Sequence, residues 1–246
     1  LSSDDLYQIC NQFQQIVSQT FNIPFPNNHL EQLESSIEAV LKSWNGKRAV
    51  EYRKIENIPN EWGTAVNVQA MVFGNMGKDS GTGVAFTRHP STGENHFFGE
   101  WLSNAQGEDV VAGIRTPHPI NNHYKKSNQS LETKFPAIYK KLYETQKKLE
   151  KHYNDMQDIE FTIQKERLWL LQTRTGKRTG QAAIKIALDF LKNKKINIKT
   201  ALSRIKSNHV NELLLPSLNH SQELKAKILA VGLPAGPGAA AGQIVF

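Results

Sequence analysis

Two short runs of alternating side chains, separated by only four residues, place the strongest constraint on how this chain folds. The first run is Asp158-Ile-Glu-Phe-Thr-Ile, and the second is Leu168-Trp-Leu-Leu-Gln-Thr-Arg. A period of two is typical of a strand with one buried face, and two strands this close in sequence pair as an antiparallel hairpin. The sequence therefore predicts a β-hairpin in which one face is polar.

The length of the loop decides which side chains of this hairpin meet. Strict alternation puts Leu168 and Leu170 on the same face as Gln172, and a slip of one residue would move Gln172 to the other face. A loop of residues 165–167 predicts three cross-strand pairs: Gln164 with Leu168, Glu160 with Gln172, and Asp158 with Arg174.

Two carboxylates, a carboxamide and a guanidinium would then share one patch of the sheet. Carboxylate and carboxamide oxygens can hold magnesium, which in turn holds phosphate oxygens, and an arginine stabilises the charge that moves during transfer. The pattern thus favours a site for a nucleoside triphosphate. The alternative is a solvent-facing sheet surface with an ordinary Asp–Arg pair.

A second candidate site is the glycine-rich run Gly74-Asn-Met-Gly-Lys-Asp-Ser-Gly-Thr-Gly, which follows a predicted strand at residues 63–73. Four glycines in ten residues let backbone N–H groups approach phosphate oxygens, and the hydroxyls of Ser80 and Thr82 can donate as well. The run is neither a Walker A loop nor a dinucleotide fingerprint. Its spacing is equally compatible with a hairpin loop that binds no ligand.

Helical periodicity on both sides of the strand-rich segment predicts an α+β fold with antiparallel strands and flanking helices. A first helix places Leu6, Cys10 and Phe13 on one apolar face, and a long charged helix spans residues 136–153. The single cysteine, Cys10, forms no internal disulfide, and we interpret it as a core residue. The predicted strands are residues 63–73, 83–88, 96–102, 159–163 and 168–174.

The formal net charge of +7 raises nucleic acid as a partner. However, the excess lysines lie on predicted helices, where lysine mostly forms the solvated face, and no zinc-finger spacing or aromatic RNA-binding motif accompanies them. The eight histidines show no metal-ligand spacing, and His89 lies in a polar turn that we predict at the surface. No apolar run reaches about 18 residues. We therefore expect neither nucleic acid nor membrane as a partner, and a reducing, cytoplasmic compartment.

Six segments of the chain match one family of enzymes: residues 63–77, 80–88, 104–117, 158–163, 171–179 and 232–246. They resemble the pyruvate, phosphate dikinases, and the block at residues 104–117 separates that family from phosphoenolpyruvate synthases and glucan, water dikinases. The resemblance implies an ATP-grasp nucleotide domain, a swivelling domain with a phosphorylated histidine, and a pyruvate-binding barrel. Together these convert ATP, phosphate and pyruvate to AMP, pyrophosphate and phosphoenolpyruvate with Mg²⁺.

The resemblance also divides the chain into four segments. Residues 1–26 end a small helical subdomain, 27–179 form the later part of the ATP-grasp domain, 180–230 form a helical linker, and 231–246 begin the phosphohistidine domain. It implies ATP or AMP as ligand, the phosphohistidine domain of the same polypeptide as partner, pyruvate only through the barrel, and a homo-oligomer. The early lysine and arginine of the family and its phosphohistidine lie outside this sequence. We therefore expect the isolated chain to bind Mg-ATP weakly and not to complete the reaction.

Site residues follow from the resemblance, position by position. It implies that Glu160 and Gln172 hold magnesium and that Arg174 meets the transferring phosphoryl group, so these three residues take part in catalysis. His89 stands where the family more often has asparagine. The alternative is a non-catalytic interaction module derived from the same fold. The implied nucleotide contacts are Thr82, Gly83, Ser91, Glu108, Asp158, Glu160, Gln172 and Arg174.

Overall fold

The computed structural model describes residues 2–111, 115–124, 126–214, 225, 227–229 and 242–243. Two compact units divide the chain, Leu1–Ala70 and Met71–Phe246. Apart from residues 242–243, the predicted start of a further domain at 231–246 lies outside the described residues. Within the described part of the chain, the helices are too short or too polar to cross a membrane.

In residues 2–70 the first unit contains three α-helices and then a short 3-10 helix at Asn60–Trp62. The α-helices are α1 (Ser3–Phe21), α2 (His29–Ser43) and α3 (Lys47–Glu56). A capping box begins α1: the Ser2 hydroxyl accepts a hydrogen bond from the backbone N–H of Asp5, and the Asp5 carboxylate accepts one from the N–H of Ser2. This arrangement satisfies two backbone donors that the first turn of a helix leaves without intrahelical acceptors. The structure thus confirms the predicted helical start of the chain.

Cys10 is exposed, so the prediction that it is a core residue is wrong. Its neighbours on the same stripe, Leu6 and Phe13, are 51% and 62% exposed. Among residues 2–70 the one buried side chain is Arg53, whose guanidinium lies 4.0 Å above the ring of Trp44. Amphipathic spacing shows which face of a helix is apolar, but it does not show whether another element covers that face.

The second unit is built on an antiparallel sheet, which with its helices confirms the predicted α+β class. The strands are β1 (Gly81–Phe86), β2 (Phe98–Ser103), β3 (His118–Pro119), β4 (Gln157–Gln164) and β5 (Arg167–Thr175). The helices are α4 (Gly107–Val111), α5 (Leu131–Lys134), α6 (Pro136–Tyr153), α7 (Gly180–Lys192), α8 (Ile198–Arg204) and α9 (Ser207–Leu214). The order of the strands in the sheet is β3-β2-β1-β4-β5, and α6 has the predicted bounds.

The strand predicted at residues 63–73 is not formed, and these residues belong to none of the five strands. Val68 and Met71, from opposite sides of the predicted alternation, are 68% and 74% exposed. Alternation identifies residues that fit a pleated surface, but a strand forms only where a neighbouring strand supplies the hydrogen-bond ladder. The glycine-rich run therefore leads into β1 and does not join two strands.

One face of the sheet packs against α5 and α6 and forms the main core. Trp101, Phe161 and Leu142 are buried there. Gly83 lies between these side chains, because a Cβ atom at this position would be 2.5 Å from the carbonyl oxygen of Glu100 and 2.7 Å from the ring of Phe161. The opposite face carries the polar side chains, and α7 covers one end of it through a smaller cluster of Met156, Ala182, Ile186, Phe190 and the partly buried Phe86.

We expect Gly83→Ala to lower the free energy of unfolding by about 2 kcal/mol, because the added methyl group overpacks a fully formed core. Urea denaturation measures this difference. Gly107→Ala is the matched control, because nothing lies within 4 Å of a Cβ atom at Gly107. Equal stability of the two variants would contradict the close approach at Gly83.

Candidate functional site

A turn of two residues joins β4 to β5. Lys165 and Glu166 both have positive φ values, 48° and 58°, and Gln164 pairs with Arg167 across the turn. The predicted loop of three residues and the predicted pairing of Gln164 with Leu168 are therefore wrong. Two consecutive left-handed residues match the right-handed twist of a hairpin, which favours the tighter turn.

A β-bulge compensates for the shorter turn. Phe161 lies opposite Leu170, whereas the preceding residue, Glu160, lies opposite Gln172, so β5 carries one additional residue at Leu171. Beyond a bulge of this kind, each side chain of the strand points to the face opposite the one that strict alternation predicts. The structure thus confirms the predicted pairs of Glu160 with Gln172 and Asp158 with Arg174.

The same bulge changes the face to which the apolar residues of β5 belong. Leu168 lies opposite Ile163, and Leu170 lies opposite Phe161, both of which are buried in the main core. Strict alternation placed Leu168 and Leu170 on the face of Gln172, and this prediction is wrong. Near the turn, Leu168 packs against the core, and Leu170 lies on the same side of the strand but is 46% exposed. Beyond the bulge, β5 presents polar groups to the other face.

Arg174 links the two carboxylates that β4 contributes to the polar face. Its Nε donates to Asp158 Oδ2 at 2.8 Å, and its Nη2 lies 3.4 Å from Glu160 Oε1. The Asp158 side chain is 6% exposed, whereas the Arg174 side chain is half exposed. The hydrogen bond to Asp158 and the charges of both carboxylates raise the pKa of Arg174. A charged guanidinium is therefore held in place while part of it faces solvent.

Glu100 is an acidic residue of this face that the sequence analysis missed. It lies on β2 opposite Val84, and Val84 lies on β1 opposite Glu160, so one row across the sheet contains both glutamates. The side chain of Glu100 is exposed, but partial desolvation by the surrounding protein raises the pKa of its carboxyl group. The alternation of residues 96–102 was visible in the sequence, but the order of the strands was needed to place Glu100 near the site.

Thr82 and Gly83, two of the implied nucleotide contacts, lie on opposite faces of β1. The Thr82 hydroxyl is on the polar face, where it donates to the carbonyl oxygen of Phe161 at 3.1 Å and lies 3.3 Å from the hydroxyl of Thr162. The missing side chain of Gly83 faces the core. Contacts within the sheet therefore explain why position 82 carries a threonine and position 83 a glycine.

The glycine-rich run before β1 is hydrogen-bonded to the hairpin turn. The Ser80 hydroxyl, which is buried, accepts from the backbone N–H of Lys165 at 3.1 Å. The backbone N–H of Gly77 donates to the side chain of Asn104 at 3.0 Å. The Ser80 hydroxyl and the Gly77 N–H, two groups that were predicted to be able to bind phosphate, therefore have partners within the protein. The side chain of Lys78 is exposed.

Ser91 is exposed in the turn that follows β1. Its backbone N–H and that of Thr92 both donate to His89 Nδ1, each at 3.2 Å. The carbonyl oxygen of Ser91 accepts from the hydroxyl of Thr179 at 2.7 Å, and Thr179 is the N-cap residue of α7. The turn is therefore attached to the beginning of α7, which follows β5 and Arg174.

Glu108 is exposed in the first turn of α4, after the end of β2. The end of β2 pairs with the start of β1, whereas Ser91 follows the end of β1, so Glu108 and Ser91 lie beyond opposite ends of that strand. The structure thus brings four of the eight implied residues together on the hairpin. Within the described part of the chain, no group of three or more His, Cys, Asp or Glu side chains is arranged as a metal site.

The comparison with known families places the chain among AMP/ATP-binding domains. The family model of the pyruvate phosphate dikinase AMP/ATP-binding domain matches residues 10–141 and 123–195. The chain belongs to this family, which confirms the resemblance recognised in its motifs.

Curated relatives match the chain over its whole length. It is 48% identical to the chloroplastic pyruvate, phosphate dikinase of Flaveria pringlei and to pyruvate, phosphate dikinase 1, chloroplastic, of Oryza sativa subsp. japonica. It is 47% identical to the pyruvate, phosphate dikinase of Clostridium symbiosum. The chain spans 25% of the length of the two plant relatives and 27% of the bacterial one.

Proposed function

We propose that this chain binds Mg-ATP as part of a pyruvate, phosphate dikinase and promotes phosphoryl transfer to a histidine in another domain of the same polypeptide. One observation carries the proposal: Asp158, Glu160, Gln172 and Arg174 share one face of the hairpin, with Arg174 held by both carboxylates. A polyanion-binding surface would not place two carboxylates at its centre. An interaction module that does not bind nucleotide would have no need of this combination.

The donor chemistry of the face fits magnesium. Mg²⁺ prefers oxygen ligands and is usually bound through one or two protein groups, with water and substrate phosphates completing its coordination. Glu160, whose side chain is 38% exposed, and the exposed Gln172 are directly opposite each other and would supply a carboxylate and a carboxamide oxygen. When bound, the ion would neutralise charge on the phosphate oxygens.

Arg174 would supply the fixed positive charge of the site. A guanidinium can hold two phosphate oxygens and keeps its charge at any working pH. The hydrogen bond to the nearly buried Asp158 fixes Nε, so that the group is oriented before the nucleotide arrives. A donor positioned in advance stabilises developing charge without reorganisation.

The resemblance to the family suggests further nucleotide contacts, the reaction of the whole protein and the division of this chain into segments. Thr82, Gly83, Ser91 and Glu108 are proposed as further nucleotide contacts. The whole protein would convert ATP, phosphate and pyruvate to AMP, pyrophosphate and phosphoenolpyruvate as a homo-oligomer, with pyruvate bound by a separate barrel. Within this chain we propose a helical subdomain end at 1–26, the later ATP-grasp part at 27–179, a linker at 180–230 and the start of the phosphohistidine domain at 231–246.

We expect Glu160→Ala to weaken Mg-ATP binding to the complete dikinase roughly tenfold or more, because it removes a metal ligand. Calorimetry with Mg-ATP measures the change, and ATP with excess chelator should bind wild type and variant alike. Glu166→Ala, at the tip of the same hairpin, is the matched control and should leave affinity unchanged. Equal Mg-ATP affinity of wild type and Glu160→Ala would overturn the magnesium site.

A further inference from the structure

The turn between β1 and β2 is organised around one imidazole. His89 Nδ1 accepts hydrogen bonds from the backbone N–H groups of both Ser91 and Thr92, at 3.2 Å each. Two backbone bonds close the same turn, from the N–H of Gly93 to the carbonyl oxygen of His89 and from the N–H of His89 to that of Glu94. The imidazole thus serves as a side-chain acceptor at the centre of the turn.

This role requires one protonation state. Two N–H donors aimed at Nδ1 need a lone pair there, so the ring is neutral and carries its proton on Nε2. A proton on Nδ1 would turn the acceptor into a donor that faces two donors. Asparagine would supply an equivalent acceptor through its side-chain oxygen, as it does in Asx turns, but that oxygen does not titrate near neutral pH.

We propose that His89 is the positioning residue of the turn that presents Ser91, and that a proton on Nδ1 releases this turn. The effect on nucleotide binding rests on the proposed function, in which Ser91 contacts the nucleotide. The positioning itself rests only on the two hydrogen bonds. The turn is also held to α7, because a Cβ atom at Gly93 would lie 2.9 Å from the carbonyl oxygen of Ala182.

The groups around His89 decide at which pH the release occurs. Phe98 packs on the ring at 4.4 Å between centroids, and Tyr124 meets it edge-on at 5.8 Å. Burial lowers the pKa of His89 from its ordinary value of 6.5, whereas the negative charge of Glu94 acts in the opposite direction. The charge of His89 in turn lowers the pKa of the neighbouring His96.

The neighbours of Glu94 and His96 complete this charge environment. Glu94 accepts a hydrogen bond from the Tyr124 hydroxyl at 2.8 Å and feels the charge of Lys185 on α7. His96 stacks on His123 with 3.6 Å between ring centroids, and burial and His123 lower the pKa of His96. Because folding favours neutral His89, its contribution to stability is present above pH 6.5 and is lost as the pH falls through the lowered pKa.

Nitrogen NMR of the chain labelled with ¹⁵N in histidine and in the backbone tests the proposal without nucleotide. At pH 8 we expect His89 Nδ1 to resonate as a nitrogen without a proton. Between pH 8 and 5 we expect the amide signals of Ser91 and Thr92 to shift along the titration curve of His89. A proton on Nδ1 at pH 8, or amide signals that do not follow His89, would overturn the proposal.

His89→Asn and His89→Ala are the matched variants. Asparagine retains an acceptor that does not titrate, so its turn amides should no longer shift along an imidazole titration curve, whereas alanine should show the released turn even at pH 8. An unchanged pH response of Ser91 and Thr92 in His89→Asn would assign the response to His96 or His123 and overturn the proposal. The wild-type titration requires no substitution, so the test remains decisive if His89→Ala does not fold.

Nucleotide affinity separates this proposal from the proposed function. In the complete dikinase, Mg-ATP affinity should fall between pH 8 and 5.5 roughly fivefold more for wild type than for His89→Asn, the effect of about one lost hydrogen bond. If NMR shows the release but both proteins lose affinity equally, the Ser91 contact is wrong while the role of His89 stands. If NMR shows no release, the role of His89 is wrong whatever the nucleotide does.

Discussion

Arg174→Ala should slow formation of the phosphohistidine in the complete dikinase by roughly a hundredfold or more. This is the scale of losing one strong electrostatic contact in a transition state. In the structure, Arg174 is the cation that Asp158 and Glu160 hold in place. Without it, the charge that develops during transfer is left to magnesium alone. Rapid quenching of the enzyme with labelled ATP measures this half-reaction.

The second half-reaction provides the control for Arg174. Phosphorylation of pyruvate from a histidine that already carries phosphate should be nearly unaffected, because we propose that this step belongs to the distant barrel. Arg167→Ala, a cation at the other end of β5, should leave both steps nearly unchanged. Equal losses in both half-reactions would show that Arg174 supports the fold and not the nucleotide chemistry.

A lysine variant separates charge from geometry at the same position. Removal of Arg174 leaves the Asp158 carboxylate, whose side chain is 6% exposed, without its charged partner. Arg174→Lys retains a positive charge near Asp158 but loses the planar fork that can hold two oxygens. We therefore expect the lysine variant to keep most of the stability of wild type and to remain slow in the first half-reaction.

The largest effect on stability is expected for Glu150→Ala, which should lower the free energy of unfolding by about 3 to 5 kcal/mol. Glu150 on α6 accepts two hydrogen bonds from the guanidinium of Arg88, at 3.0 and 3.1 Å. The Arg88 side chain is only 2% exposed, and its other carboxylate, Asp189 on α7, lies at 3.3 Å. Loss of Glu150 leaves the buried guanidinium of Arg88 with Asp189 as its remaining carboxylate partner. Removing one member of a buried ion pair is strongly destabilising, because the charge that stays buried is no longer fully compensated.

The ion pair of Arg88 and Glu150 stabilises the part of the fold that leads to the proposed nucleotide contact Ser91. Arg88 lies two residues beyond the end of β1 and precedes the turn that carries Ser91, so the pair anchors this end of β1 to α6 and α7. Glu144→Ala, at an exposed position of the same helix, is the matched control and should change stability by no more than about 0.5 kcal/mol. Urea denaturation compares the two variants. A loss at Glu150 as small as that at Glu144 would contradict the buried ion pair.

Local signals in the sequence were sufficient for much of the second unit. The long helix α6 begins at a proline in its first turn and ends at a left-handed Asn154, and its bounds are the predicted ones. Alternation located both strands of the hairpin. These features depend on residues that are close in sequence, so periodicity and helix-end residues are enough to find them.

The pairing of the site residues shows where local reasoning was incomplete. The turn is one residue shorter than predicted and the bulge adds one residue, so the two differences cancel at Glu160 and Gln172. The predicted pairs are therefore present although the predicted path between them is wrong. Parity along a strand cannot reveal a bulge, because a bulge depends on how the partner strand and the core accept the additional residue.

The sequence by itself determined the long helix α6, the two strands of the hairpin, and which side chains can share the polar face of that hairpin. Only the tertiary structure decided which apolar faces are covered, since Cys10 is exposed and residues 63–73 form no strand. It also placed Glu100 in the row of Glu160 and made His89 the acceptor within its turn. Periodicity records the chemical character of a face, whereas burial and hydrogen bonding depend on elements that are distant in sequence.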